Sequence, residues 1–149
     1  MSHRAQQIAE AVKTALAANS SLGATAYLHR AASLDGDEIP AVSVRIGADT
    51  PTGEFGADNF AYIDSVLELV IEASVESIDE PTAIGSLLDI RRQVHITIMA
   101  DRTLGLSFVM DTRYGGANEP QIDVASDQPV ARLEMRYGVF YRMNISDPA

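Results

Sequence analysis

Residues 129–143 read PVARLEMRYGVFYRM, and apolar and charged side chains alternate along them. The apolar positions are Ala131, Leu133, Met135, Tyr137, Val139, Tyr141 and Met143. The intervening charged positions are Arg132, Glu134, Arg136 and Arg142. A period of two places successive side chains on opposite faces of a β-strand. This stretch therefore predicts a long strand, Pro129 to Met143, with one face in the core and the other in water.

The same periodicity occurs in residues 60–75, which read FAYIDSVLELVIEASV. Apolar side chains fill the odd positions Ile63, Leu67, Leu69, Ile71, Ala73 and Val75. Carboxylates fill the even positions Asp64, Glu68 and Glu72. The stretch predicts a second long strand, Phe60 to Val75, with one apolar and one acidic face.

Both predicted strands are long for a domain of this size. A compact domain of 149 residues has a radius of gyration of about 15 Å and spans roughly 40 Å. Strands of 15 or 16 residues reach roughly 50 Å at ~3.3 Å per residue. Two alternatives follow: the strands bend or contain a break, or they project from the domain and pair with another chain.

Helical spacing of apolar residues predicts two helices. The first runs from His3 to Ala18, with Ser2 as its N-cap. Its apolar face consists of Ile8, Val12, Ala15 and Leu16. The second runs from Pro81 to Met99, with an apolar stripe of Ile84, Leu87, Leu88, Val94 and Ile98. Its end contains a β-branched run with weak helix propensity, so a change to strand there is an alternative.

Shorter strands and polar loops complete the chain. The predicted strands are Thr25 to Arg30, Ala41 to Gly47 and Leu106 to Arg113, the last followed by a turn at residues 114–116. The predicted loops are Ala31 to Glu38, Ala48 to Asn59 and Ala117 to Gln128. The order α-β-β-β-α-β-β indicates a single α+β domain over residues 1–149. Its mostly antiparallel or mixed sheet of about five strands is packed by two main helices.

The composition excludes several classes of function. The net charge is −10, so free nucleic acid is repelled. The chain has no Cys, which excludes disulfides and thiolate chemistry. No stretch approaches the ~18 to 20 apolar residues of a membrane span, and the first residues lack the layout of a secretory signal. We therefore expect a protein that folds in the cytoplasm and binds neither membranes nor specific nucleic acid sequences.

No catalytic, cofactor-binding or metal-binding pattern is found. His3, His29 and His95 lie on separate predicted elements without metal-ligand spacing. The glycine-rich loop after the second strand lacks the Lys and the following helix of a phosphate-binding loop. Glu68 and Glu72 lie about 13 Å apart on one strand face, too far for a paired acid–base site. The sequence therefore predicts a protein that is not an enzyme.

Three groups of residues are candidates for contacts with other proteins. Phe55 is the one large apolar side chain in a polar loop, where ordering on contact can occur. Arg91 and Arg92 form the most basic spot, interpreted either as a solvated helix face or as partners of carboxylates in a neighbouring subunit. The wet faces of the long strands supply Glu68, Glu72, Arg132 and Arg136. In an oligomer, the two carboxylates would line an acidic lumen or meet a neighbour's Arg.

Four segments together resemble the tail-terminator proteins of long-tailed bacteriophages, also called minor tail or tail-completion proteins. The first is the N-terminal amphipathic helix, and the second is YLHR at residues 27–30 followed by EIPAVSV at 38–44. The third is the long strand around Leu67 to Val75 that leads into a helix. The fourth is the closing strand, ARLEMRYGVFY at 131–141. The resemblance spans nearly the whole chain.

The resemblance implies a homo-oligomer: a hexameric ring that caps the tail tube, stops its polymerisation and joins the tail to the head. It implies contacts with the tail-tube protein and with the head–tail connector (neck) protein, no cofactor, and DNA passing through the ring. The implied location is the virion tail, after assembly in the cytoplasm of the bacterial host. Two alternatives remain open: another head–tail connector or tube-like subunit, and a small ligand-binding or enzymatic α+β domain.

Overall fold

The computed structural model describes residues 2–29, 39–52, 61–123 and 129–149. The elements are α1 (Arg4–Ala18), β1 (Thr25–Leu28), β2 (Ala41–Pro51), β3 (Tyr62–Glu76), α2 (Glu80–Ala100), β4 (Val109–Ala117), β5 (Gln121–Asp123) and β6 (Val130–Asn144). The expected α+β fold and the order α-β-β-β-α-β-β are confirmed, with the three-residue β5 as an addition. The loop predicted for Ala31 to Glu38 lies outside the described residues.

The strands form one mixed sheet in the order β1-β2-β3-β6-β4, and β5 also pairs with β6. Only the β1–β2 pair is parallel within the described chain; the other pairs are antiparallel. The two long strands, β3 and β6, pair from Tyr62 with Asn144 to Glu76 with Val130. The predicted long strands therefore pair with each other at the centre of the sheet. The outer strands of the sheet are β1 and β4.

Both helices pack on one face of the sheet and form the core with it. The odd-numbered side chains of β6 from Ala131 to Tyr141 are buried, as the alternation predicted. Those of β3 from Ser65 to Val75 face the same core. Because few aromatic side chains are available, aliphatic residues fill most of this layer, with Tyr137 and Tyr141 as the largest buried groups.

Helix α1 begins one residue later than expected and has a different cap. The N-cap is His3, whose Nδ1 accepts a hydrogen bond from the backbone N–H of Ala5 at 3.0 Å, so the assignment of Ser2 as the cap is wrong. An imidazole nitrogen can satisfy one of the free N–H groups at a helix start as a hydroxyl does. Of the predicted apolar face, Ile8, Val12 and Leu16 are fully buried and Ala15 is half-buried.

Helix α2 remains helical through its β-branched end. Val94 and Ile98 are buried against the sheet, and this packing outweighs their weak helix propensity. The placement of Leu88 on the buried stripe is wrong, because its side chain is 45% exposed. Ala83 and Ile90 are buried on the core side instead.

Three predicted boundaries are corrected by strand pairing. Strand β2 continues to Pro51 instead of ending at Gly47, because a bulge between Ile46 and Asp49 restores its pairing with β3. Strand β4 starts at Val109 and includes the residues 114–116 that were predicted as a turn. An added Cβ at Gly115 would lie 3.2 Å from the Arg136 carbonyl oxygen, so the glycine permits close strand approach there. Of the predicted loops, residues 53–59 and 124–128 lie outside the described chain, and residues 121–123 form β5 instead of a loop.

Candidate functional site

Two surfaces of the domain carry the residues singled out from the sequence. The open face is the side of the sheet opposite the two helices; its charged members on β2, β3 and β6 include Arg45, Asp64, Glu68, Glu72, Arg132, Glu134, Arg136 and Arg142. The helix face is the outer stripe of α2 with the adjoining edge of β4; its members are Leu88, Arg91, Arg92, His95, Ile96 and Tyr114. The predicted interface residue Phe55 lies outside the described residues.

Arg45 is at the centre of the charges on the open face. Its Nη2 lies 2.9 Å from Oε1 of Glu134 and 3.5 Å from Oε2 of Glu72. Glu72 and Glu134 are directly opposed in the β3–β6 register, where two like charges repel. Arg45 therefore neutralises a cross-strand pair of carboxylates that would otherwise destabilise the central strands.

Further ion pairs extend from this centre along the open face. Arg132 Nε lies 3.9 Å from Glu72 Oε1, and Arg136 Nε lies 4.0 Å from Glu68 Oε1. Arg136 Nη2 also lies 3.5 Å from Oε2 of Glu134. The four predicted residues Glu68, Glu72, Arg132 and Arg136 thus belong to one network. Their charge partners lie within the same chain. Because these side chains are partly exposed, each pair contributes about 0.2 to 1 kcal/mol.

Asp64 and Arg142 form a two-pronged ion pair at the far end of the open face. Arg142 Nε donates to Oδ1 of Asp64 at 2.7 Å, and Nη2 donates to Oδ2 at 3.0 Å. These hydrogen bonds lower the pKa of Asp64 below its ordinary value. The same contact raises the pKa of Arg142.

This ion pair predicts a pH-dependent contribution to stability. An unfolded Asp has a pKa of about 3.9, and the folded pKa of Asp64 is lower, so the stabilisation is present above the unfolded pKa. It is lost as the pH falls through the folded pKa. We expect Asp64→Asn to lower the urea midpoint at neutral pH and to change it much less in acid below the folded pKa. Glu119→Gln, at an exposed site with no ion pair in the described chain, is the control. A midpoint difference that does not vary with pH would argue against the ion pair.

The helix face combines exposed apolar side chains with cations. Leu88 is 45% exposed and Ile96 is 47% exposed on the outer side of α2. Arg91 donates a hydrogen bond to the Tyr114 hydroxyl, and its Cζ lies 5.6 Å from the centroid of that ring. An open cavity of about 380 Å³ on this face is lined by Leu88, Arg91, Arg92, His95 and Tyr114.

His95 links this surface to the core. Its Nδ1 lies 3.0 Å from the hydroxyl of Tyr137, and its ring meets the Tyr114 ring edge-on at 5.3 Å between centroids. Burial raises the pKa of the Tyr137 hydroxyl well above its ordinary value, so the hydroxyl stays protonated. These contacts hold the side chains that line the cavity in place.

The histidines serve structure in the described chain. His3 caps α1, His29 Nε2 lies 3.0 Å from Gln6 Oε1, and His95 contacts tyrosines. His29, predicted within a strand, follows the end of β1 with a positive φ of 57°. No group of three or more His, Asp or Glu that could hold a metal ion occurs among residues 2–29, 39–52, 61–123 and 129–149. Neither described helix combines the length and apolarity that a membrane crossing requires.

The structure separates the predicted interface residues into two groups. Glu68, Glu72, Arg132 and Arg136 lie together on the open face, whereas Arg91 and Arg92 lie on the helix face. The network members Arg45 and Glu134 were missed as site residues, although the alternation in its strand had placed Glu134 on the wet side. Tyr114 was missed because two following glycines suggested a turn.

These features define one α+β domain of two layers, with two helices on one face of a mixed sheet. Neither a protein-family model nor a curated protein sequence matches the chain. In fold, the chain is similar to a chain of a solved structure described as the virion of a native gene transfer agent particle. The two share 10% sequence identity with a TM-score of 0.51, and the match covers 90% of this chain and 93% of that chain. At this identity, the likeness shows a shared fold.

Proposed function

We propose that the protein is a structural component of a phage-like virion, and specifically a tail terminator. The observation that supports this most directly is the fold likeness to a virion chain, which covers nine-tenths or more of both chains. A match of that extent concerns the whole domain rather than a common motif. The four sequence segments that resemble tail terminators point in the same direction.

In this role, six copies form a ring on the last ring of tube subunits. The bound ring removes the surface to which the next tube subunit would add, so polymerisation stops. The opposite side of the ring then joins the neck protein of the head. A net charge of −10 suits a channel for DNA, because like charges keep the wall from holding the passing phosphates.

The two surfaces receive different roles in this proposal. The helix face, with Arg91 and Arg92, lies between neighbouring copies. The open face has its carboxylates and guanidinium groups already paired within the chain, so it suits a solvated wall or a polar contact that needs no buried charge. Phe55 is proposed as a contact to the tube or neck protein.

Electron microscopy of tail tubes tests the proposal. The tube protein from the same particle is assembled with its length-setting components, with and without this protein. We expect tubes of uniform length when the protein is present and overgrown tubes when it is absent. Tubes that overgrow equally in both cases would reject the terminator role. Co-polymerisation into the tube wall would identify a tube-like subunit, and binding to heads alone would identify another connector.

A further inference from the structure

The turn between β3 and α2 presents an exposed apolar side chain among acids. Ile78 is 87% exposed, the highest value among the large apolar residues of the described chain. Glu76, Asp79 and Glu80 around it are exposed as well. We call residues 76–80 the Ile78 turn. An isolated aliphatic side chain held in water between carboxylates gains from burial only if another molecule covers it.

The helix face has the opposite charge and an open, mainly apolar cavity. Its cavity of about 380 Å³ is bordered by Leu88, Tyr114 and the two adjacent arginines of α2. Arg91 bonds to a hydroxyl, and neither Arg91 nor Arg92 has a carboxylate partner in the described chain. Arg92 also borders a depression with Glu76 of its own chain without forming an ion pair there.

The Ile78 turn does not fill the helix-face cavity of its own chain. The exposure of Ile78 shows that it does not occupy the cavity of its own copy. We propose that the Ile78 turn of one copy docks into the helix-face cavity of the next copy, with Glu80 and Asp79 facing the arginines. The occupant is a second copy because one chain carries both an acidic apolar projection and a basic apolar cavity.

This contact joins two different patches, so it repeats head to tail. A head-to-tail contact closes into a ring when its rotation divides the circle and forms a filament when it does not. The inference rests on the proposed function only for ring closure. The pairing of the two patches follows from the exposure, charge and cavity described above.

Engineered disulfides test the contact directly, since the chain has no native Cys. The double variant Ile78→Cys/Leu88→Cys is oxidised and resolved on a non-reducing gel. We expect a ladder of covalent oligomers, because the cysteine at position 78 of each copy can bond to position 88 of the next copy, and its own position 88 can bond to the copy before it. The matched control Ile145→Cys/Leu88→Cys replaces another exposed Ile, which is 56% exposed, and should give no ladder. A missing ladder, or equal ladders in both variants, overturns the contact; a dimer alone overturns its head-to-tail form.

Reversing the charges on the two surfaces is a second test, because a folding defect would not be repaired by a second charge reversal. Arg92→Glu places like charges across the contact and should weaken association more than about tenfold in light scattering. Adding Glu80→Arg should restore association, because opposite charges meet again. If the exchange variant associates no better than Arg92→Glu, the proposed docking is wrong. If the disulfide ladder forms but tail tubes overgrow, the contact is retained and the terminator role is rejected. If tubes are uniform in length but no ladder forms, the terminator role is retained and the contact is rejected.

Discussion

Replacing Leu87 with Ala is expected to lower the free energy of unfolding by about 2 to 5 kcal/mol. Leu87 is fully buried between α2 and the sheet, where it belongs to the core cluster. Truncation removes buried methyl groups and leaves a cavity that the rigid central strands cannot fill. Urea unfolding followed by circular dichroism measures the loss.

The neighbouring residue supplies a matched control. Leu88→Ala makes the same chemical change one position along the same helix, but that side chain is 45% exposed. We expect it to cost less than about 1 kcal/mol in unfolding. The same variant should weaken association between copies, whereas Leu87→Ala should act on folding. Equal losses of stability would show that the two faces of α2 are not distinguished as described.

Replacing Arg45 with Met is expected to lower the free energy of unfolding by about 1 to 2 kcal/mol. The substitution keeps the aliphatic stem and removes the charge between Glu72 and Glu134, which are directly opposed. The value is modest because all three side chains are partly exposed and Arg132 and Arg136 remain nearby.

A second substitution separates charge repulsion from lost packing. Glu134→Gln in the Arg45→Met background should recover part of the stability, because it removes one of the opposed charges. High salt should narrow the gap between wild type and Arg45→Met by screening the repulsion. Arg113→Met, at a more exposed ion pair with Asp111, is the control and should cost less. A loss that neither salt nor Glu134→Gln reduces would assign the role of Arg45 to packing alone.

The long central strands could be predicted because their environment repeats with a period of two. Every second side chain of β6 faces the core, and the sequence carries this as an uninterrupted alternation. The end of β4 could not be predicted in the same way. Gly115 and Gly116 ordinarily indicate a turn, but here Gly115 allows the backbone of β4 to approach Arg136. A pair of glycines looks the same in the sequence whether it forms a turn or lies within a strand, and only the contact with β6 distinguishes the two.

The site was predictable in part for a similar reason. Alternation placed Glu68, Glu72, Arg132 and Arg136 on a wet face, but not beside one another. Their grouping depends on the strand order β2-β3-β6, which brings Arg45 to Glu134 across 89 positions of sequence. The apolar stripe of α2 likewise contains more apolar residues than the sheet can cover. Periodicity does not say that Leu88 lies outside while Ile90 lies inside.

The central pairing of β3 with β6 has a consequence for how the chain is made. Glu76 pairs with Val130, so α2, β4 and β5 must all be synthesised before the middle of the sheet can close. Until then, the edge of β3 that pairs with β6 has no partner strand, and the apolar side chains of β3 are incompletely covered. Pairing between such distant segments is slow, because loop closure must precede any gain from contact. The sheet should therefore close only after β6 has been synthesised, and nascent chains should be prone to aggregation until then.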